Sequence, residues 1–284
     1  MKLGIVANYD HKRTPEIVKG ITSWCRDKGV ETVIPEKIPL DAEGRDLGKK
    51  VFDTLDAVIV IGGDGTILST SGLMLSHNIP ILGINVGGLG FLTVANPDNY
   101  RDYLEKLMKG RFIIQDRMML EVEVDGNIEN QGERFYALND AVIYKGGFSR
   151  IVQLKINVGD EEVGIFKSDG VIVATPTGST GYSLSSGGPL VLPSMEVFVV
   201  TPICPHTLGA RPLVIPSDRN VMIEVLSRGI DLTLTMDGQK GLSLSGGSRI
   251  IISKSRWTTR LVRSSENSFF SLLRSKLGWI ARED

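Results

Sequence analysis

The sequence predicts an α/β plus β protein, a Rossmann-like α/β layer followed by a β-sandwich-like domain, on three observations. Residues 1–100 alternate strand and helix signals, the pattern of a parallel sheet covered by helices. The run Ala57-Val58-Ile59-Val60-Ile61 is short, β-branched and closed by Gly62-Gly63-Asp64-Gly65-Thr66, as expected of a strand buried on both faces with a glycine loop at its carboxyl end. From about Arg111 the pattern changes to alternating apolar and polar residues broken by short turns, as in antiparallel sheets.

Each element follows from its own pattern. Leu3–Ala7 reads as the first strand. Pro15–Lys28 reads as a helix, with Pro15 in the first turn and Ile17, Val18, Ile21, Trp24 and Cys25 at 3.6-residue spacing; that stripe, Trp24 included, is expected to be core. Val30–Ile34, Ala57–Ile61 and Ile81–Ile84 complete a small parallel sheet. Helices are expected from Thr66 to Leu75 and, after the turn Asn96-Pro97-Asp98-Asn99, over Tyr100–Lys109. The second region offers strands at Leu120–Val124, Phe135–Tyr144, Ile151–Val158, Gly170–Ala174, Val197–Pro202, Val221–Leu226, Leu232–Met236 and Arg249–Ser253. These are too many for one flat sheet, so a sandwich or two crossed sheets is expected. Ser268–Leu277, with Phe269, Phe270, Leu272, Leu273 and Leu277, has helical spacing and is expected to pack back on the first domain. The expected domains are residues 1–100 completed by 263–284, and residues 101–262.

Composition excludes several classes. The formal charge of −1 with Lys and Arg spread along the 284 residues argues against a nucleic-acid-binding face. Cys25 and Cys204 have no metal-ligand or redox spacing; both are expected to be buried small hydrophobes in a reducing compartment. No apolar stretch approaches the 18 or so residues of a membrane span, and Met1–Ala7 leads directly into a strand, so a soluble cytoplasmic protein is expected. Neither G-x-G-x-x-G nor G-x-x-x-x-G-K-[ST] occurs.

Two glycine-punctuated stretches carry the chemistry. Gly-Gly-Asp-Gly is expected by chance in about half a percent of chains this long, given glycine at about 7% of residues. Placed after a buried strand, it sets Asp64 where open α/β sheets bind ligands, with main-chain N–H groups exposed to a phosphate and a helix N-terminus behind them. A tight turn would use the same residues. The second stretch, Thr175–Pro189, combines hydroxyls and glycines with Pro176, Tyr182, Leu184 and Pro189, and follows the buried-looking strand Val171-Ile172-Val173-Ala174. A fixed loop fits this composition better than a linker, and hydroxyls, amides and one ring are what a base-and-ribose pocket needs.

Together these residues resemble the NAD kinases, which phosphorylate the 2′-hydroxyl of the adenosine ribose of NAD. The resemblance runs through Gly62-Gly63-Asp64-Gly65-Thr66, Asn139-Asp140, Lys167-Ser168-Asp169-Gly170, Thr175–Ser185, Pro205-His206-Thr207-Leu208 with Arg211-Pro212, and Asp237-Gly238-Gln239. It implies an N-terminal α/β domain and a C-terminal β domain with NAD in the cleft between them. It also implies that Asp64 accepts the proton of the attacking hydroxyl while Gly65 and neighbouring amides hold phosphates. Asn139 can pair bidentately with an adenine edge. Asp140 and Asp169 would accept from ribose hydroxyls, with Lys167 and Arg150 offsetting charge. Thr177, Thr180, Gly181, Tyr182, Ser183, Leu184, Ser185 and Gln239 would line the remaining pocket.

Many members of the family carry Asn-Glu where this chain has Asn139-Asp140; the side chain here reaches about 1.5 Å less, so the strand lies closer or water bridges. A strand-end turn pair is the alternative for Asn139-Asp140. His206 is expected to be structural, and Phe91, in Gly87-Gly88-Leu89-Gly90-Phe91-Leu92, either contacts adenine or packs between domains. The resemblance implies a divalent cation, Mg2+ above all, carried in with ATP, another triphosphate or polyphosphate, and a homodimer or homotetramer. Alternative functions on the same residues are a lipid or sugar kinase and a non-catalytic dinucleotide sensor.

Overall fold

A computed structural model of the chain describes residues 1–34, 51–88, 90–125, 132–146, 151–207, 209–264 and 268–278. Two compact units emerge, residues 1–116 with 258–284, and residues 117–257.

In the first unit a parallel sheet has the strand order β2 (Glu31–Val33), β1 (Lys2–Ala7), β3 (Ala57–Ile61), β4 (Ile81–Ile84), and the end of β16 (Arg249–Arg263) pairs with β4, also in parallel. β3 is the middle strand, and all five of its residues are buried, which is why its sequence is an unbroken apolar run. Helix α1 (Thr14–Asp27) has Pro15 in its first turn and lays Ile17, Val18, Ile21 and Cys25 on the sheet. Trp24 packs partly buried beside them. Each such aliphatic side chain contributes about 1.5–3 kcal/mol on full burial. Burial also pushes the Cys25 thiol up to about 11. Helix α2 (Asp64–Leu73) begins two residues earlier than the pattern predicts, so Asp64 lies in its first turn. Helix α3 (Tyr100–Met108) buries Tyr100, Tyr103, Leu104 and Leu107, and α5 (Phe269–Leu277) buries Leu272 and Leu273. The serine hydroxyl at Ser268 caps α5 by accepting from the Ser271 N–H at 3.1 Å.

The second unit is built of antiparallel strands. One sheet has the order β12 (Leu213–Pro216), β11 (Val197–Ile203), β10 (Gly170–Ala174), β7 (Asp140–Lys145), β14 (Leu232–Met236), β15 (Lys240–Leu244). In the other, β13 (Val221–Val225) lies between β8 (Val152–Val158) and the first part of β16, β9 (Glu161–Ser168) pairs with β8, and β5 (Ile113–Asp125) pairs with β6 (Arg134–Ala137). Alternate residues point inward, Val152, Leu154 and Ile156 from one sheet and Ile143, Val173, Phe198 and Leu234 from the other, and they form one core. The other face of β10 is buried too, Ile172 and Ala174 packing with Val142, Val191 and Val199.

Several expectations are corrected. Phe135–Tyr144 is not one strand but two, β6 and β7, which belong to different sheets and are separated at Leu138-Asn139. β9, β12 and β15 were not expected: β9 is largely exposed, β12 almost wholly so, among its described residues β15 turns only Leu242 and Leu244 to the core, and all three lie at sheet edges. β5 starts at Ile113 and β16 runs on to Arg263, so the units divide at 116/117 and 257/258, inside these two long strands, where the pattern placed the divisions at 100/101 and 262/263. Cys204 is exposed in a left-handed conformation (φ 44°), not buried; only Cys25 is core.

Candidate active site

In the first unit the site is built at the carboxyl end of the parallel sheet. Gly62 and Gly63 end β3, and the chain turns directly into α2, whose first turn holds Asp64. The loop after β4 comes back over this turn: the Phe91 N–H donates to Asp64 Oδ2 at 2.8 Å and the Leu92 N–H to Oδ1 at 3.0 Å. Gly90 is required there, because a Cβ would overlap Oδ1 of Asp64. Thr93 Oγ1 braces the same loop, accepting from the Gly90 N–H at 3.2 Å and from Asn85 Nδ2 at 3.3 Å. Each Asp64 oxygen keeps a second lone pair beyond its backbone bond, so the carboxylate is fixed in orientation and still able to accept a proton. Open space lies beside Gly63 and Gly65, where a Cβ would meet nothing within 4 Å, and Gly65 is exposed. A phosphate fits such a cradle of amides at a helix start.

Phe91 packs against Phe269, with ring centroids 6.5 Å apart, and Lys276 Nζ lies 4.8 Å from its ring centre. Leu89 of this loop lies outside the described residues.

In the second unit the bend between β6 and β7 is pinned by a residue almost a hundred positions away. Asp237, at the hairpin between β14 and β15, accepts from the N–H groups of Asn139 (2.7 Å), Leu138 (2.9 Å) and Asp140 (3.2 Å). Asp237 and Gly238 adopt positive φ, 53° and 65°, which turns the hairpin tightly enough to present that carboxylate. The hydroxyl-rich loop packs on the same bend. Thr175 Oγ1 donates to Leu138 O at 2.6 Å, its N–H donates to Asn139 O at 2.8 Å, and a Cβ on Gly178 would overlap the Asn139 backbone. Gly178–Thr180 then forms a short 3-10 turn and Tyr182–Ser185 a single helical turn, α4.

These contacts frame a cavity of about 410 Å³ walled by Asn139, Asp140, Val142, Tyr144, Tyr182, Thr235, Asp237 and Gly238. That volume suits a nucleoside-sized ligand. Two tyrosines, 38% and 47% exposed, offer rings for stacking, and Asn139 and Asp140 offer the polar edge. Asp140 is 5% exposed, and burial first, the Asp237 charge second, raise its pKa to about 7. Burial raises Asp237 as well, against the pull of its three backbone N–H bonds.

Of the residues singled out in the sequence, Asn139, Asp140 and Tyr182 wall this cavity, and Gly181 packs near the Asn139 amide and the Asp140 carboxylate. Thr177 is buried with its hydroxyl accepting from Arg117 at 3.3 Å, and Ser183 is buried with its hydroxyl on Thr201 at 2.9 Å; both hold the loop in shape. Thr180 Oγ1 donates to Thr177 O. Leu184 is half-buried, and Ser185 and Gln239 are exposed. Asp169 pairs with Lys145 at 2.8 Å, a cation the sequence did not single out, while Lys167 is exposed on β9 and its carbonyl accepts from the exposed His206. Arg150 lies outside the described residues. Val142, Tyr144 and Thr235 were missed, although a signal existed: Asp140, Val142 and Tyr144 share one face of a strand, and Thr235 pairs with Val142 across the ladder. Among the described residues no three His, Cys, Asp or Glu side chains gather to hold a metal, and no helix is long and apolar enough to cross a membrane.

Comparison with known proteins places both units. Residues 3–112 match the family model for the ATP-NAD kinase N-terminal domain, and residues 138–264 match that for the ATP-NAD kinase C-terminal domain. The chain is 41% identical to the NAD kinase of Syntrophotalea carbinolica over 98% of both chains. It is 42% identical to that of Caldanaerobacter subterraneus over 97% of this chain and 98% of that one. Among solved structures, an NAD kinase from Archaeoglobus fulgidus in complex with ATP superposes with a TM-score of 0.78 at 27% identity, covering 97% of this chain and 99% of that one. Yeast NADH kinase complexed with NADH shares the fold, with a TM-score of 0.89 at 24% identity over 99% of this chain and 88% of the other.

Proposed function

This chain belongs to the NAD kinase family, and we propose that it transfers the terminal phosphoryl group of ATP to the 2′-hydroxyl of the adenosine ribose of NAD, with Asp64 as proton acceptor. Other triphosphates or polyphosphate would serve as donors through the same phosphate cradle. The observation that carries the reading is the Asp64 carboxylate, held by two backbone N–H bonds at the carboxyl end of a parallel sheet with open space beside Gly63 and Gly65. The ribose O2′ forms a bond to the terminal phosphorus, the bond from that phosphorus to the bridging oxygen breaks, ADP leaves, and the hydroxyl proton passes to Asp64. A ribose hydroxyl is far less acidic than a carboxyl group, so the proton moves only as the new bond forms, and positioning supplies much of the acceleration.

Asn139, Asp140 and Tyr182 would hold the adenosine, with Gly181 allowing close approach; Thr177, Thr180, Ser183, Leu184 and Ser185 shape their loop, and Gln239, Lys167, Asp169 and Arg150 serve the rest of the dinucleotide. A divalent cation, Mg2+ in the first place, would be held by phosphate oxygens and water on the incoming donor, where it neutralises charge; an ion bound this way needs no protein cage. The residues present fit that mode, since the open space beside Gly63 and Gly65 at the start of α2 leaves room for a phosphate carrying its own cation. A cytoplasmic homodimer or homotetramer completes the proposal. The test is NADP formation from NAD, ATP and Mg2+, read by an NADP-specific dehydrogenase. An Asp64→Asn variant is expected to lose at least about 100-fold in turnover while keeping NAD affinity within a few-fold; undiminished turnover rejects the proton-acceptor role.

A further inference from the structure

Asp64 is oriented by the loop after β4, and that loop is itself gripped from behind. Arg263 ends β16, which runs parallel to β4 through the pair Leu261 and Ile81, so the strand delivers this residue at the same carboxyl end of the sheet. The side chain is only 8% exposed, and its Nη1 donates to the carbonyls of Phe91 at 3.3 Å and Leu92 at 3.5 Å. The single peptide joining Phe91 to Leu92 therefore gives its C=O to the guanidinium and its N–H to Asp64 Oδ1. Cation, peptide dipole and carboxylate stand in series, each end of the peptide facing the charge it favours. We infer that Arg263 is a positioning residue for phosphoryl transfer, fixing the Asp64 carboxylate through the Phe91–Leu92 peptide. The inference rests on Asp64 being the proton acceptor. Burial pulls the Arg263 pKa down and the Asp64 charge acts against it; a guanidinium remains a cation throughout. A lysine at this position would offer a point charge in place of a planar fork.

Arg263 also lines a cavity of about 430 Å³ with Tyr103, Lys106, Arg111 and Phe112 among its walls, so a small cation can reach the space its side chain leaves. This permits a chemical rescue. In the full-length protein, Arg263→Ala is expected to lower kcat by about 10- to 100-fold, the scale of a small misplacement of a reacting group, with KM for NAD within about threefold. Guanidinium at tens of millimolar is expected to restore kcat at least about fivefold in that variant, whereas methylammonium does not, and neither raises the parent protein's kcat. Arg263→Lys, which keeps the charge and much of the volume, is expected to fall between the two and decides the matter if the alanine variant does not fold. Wild-type kcat in either variant, or kcat and NAD affinity falling together with no guanidinium response, overturns the inference. Asp64→Asn measured alongside separates the two ideas: if it turns over normally the proton-acceptor reading fails, and if it is inactive while the Arg263 variants are not, only the role of Arg263 fails.

Discussion

Asp140 is the residue whose charge state most directly limits what the second-unit cavity can do. Protonated, it can donate one hydrogen bond to a ligand; ionised, it can only accept, close to the Asp237 carboxylate. Its native pKa of about 7 lies above the ordinary value of 3.8, so the folded state binds a proton that the unfolded chain has already lost between these two values. Stability then falls as pH rises from about 4 to about 7 and levels off above, by on the order of a few kcal/mol. An Asp140→Asn variant is expected to show a shallower decline, with the part owed to the likewise raised Asp237 remaining, and to be more stable than the parent at pH 8 but not at pH 4, measured by urea unfolding at both values. An equal pH dependence in both proteins would remove the assignment of that proton to Asp140. Asp64 was legible in the sequence because its glycine-marked loop announces a need for close backbone approach, whereas Asn139-Asp140, with no glycine beside it, was legible only through the family resemblance. Arg263 carried no such mark; the alternating pattern stopped at Ser253, and nothing local distinguishes it from the other Lys and Arg residues.

Elements declared themselves when burial wrote a period into the sequence. β3 and β10 are buried on both faces and read as apolar runs, while β8, β13 and β14 alternate because one face meets the core. The edge strands β9, β12 and β15 have less to bury and left no comparable record. The break between β6 and β7 was illegible for a different reason: Asp237 imposes it from a distance, through N–H bonds that no local pattern encodes. The hydroxyl-rich loop depends on the same bend through Gly178, whose missing side chain lets two backbones touch. Gly178→Ala is therefore expected to displace Asn139, raising KM for NAD at least about tenfold and lowering Tm by several degrees, on a cost of 1–3 kcal/mol for overpacking. Kinetics and thermal unfolding matching those of the parent would show that the bend does not need the contact.

At the scale of the whole chain, the two units differ in continuity. Residues 117–257 are one stretch with their own core of inward-facing strand residues. The first unit instead draws Leu261, Val262, Leu272 and Leu273, all buried, from the far end of the chain. A fragment of residues 1–116 is accordingly expected to show no cooperative unfolding by circular dichroism, whereas 117–257 is expected to unfold in a single urea transition; a cooperative 1–116 fragment would show that the returning segment is dispensable. The sequence alone determined the class of each unit and the loop that carries Asp64, because hydrophobic period and glycine placement are local consequences of burial and backbone conformation; the family was legible through the resemblance of its motifs. Only tertiary structure decided which distant groups orient the reactive ones, Asp237 behind Asn139 and Arg263 behind the loop over Asp64. Such contacts are made by hydrogen bonds between residues about 100 or more positions apart, and pairing at that separation leaves no period in the chain.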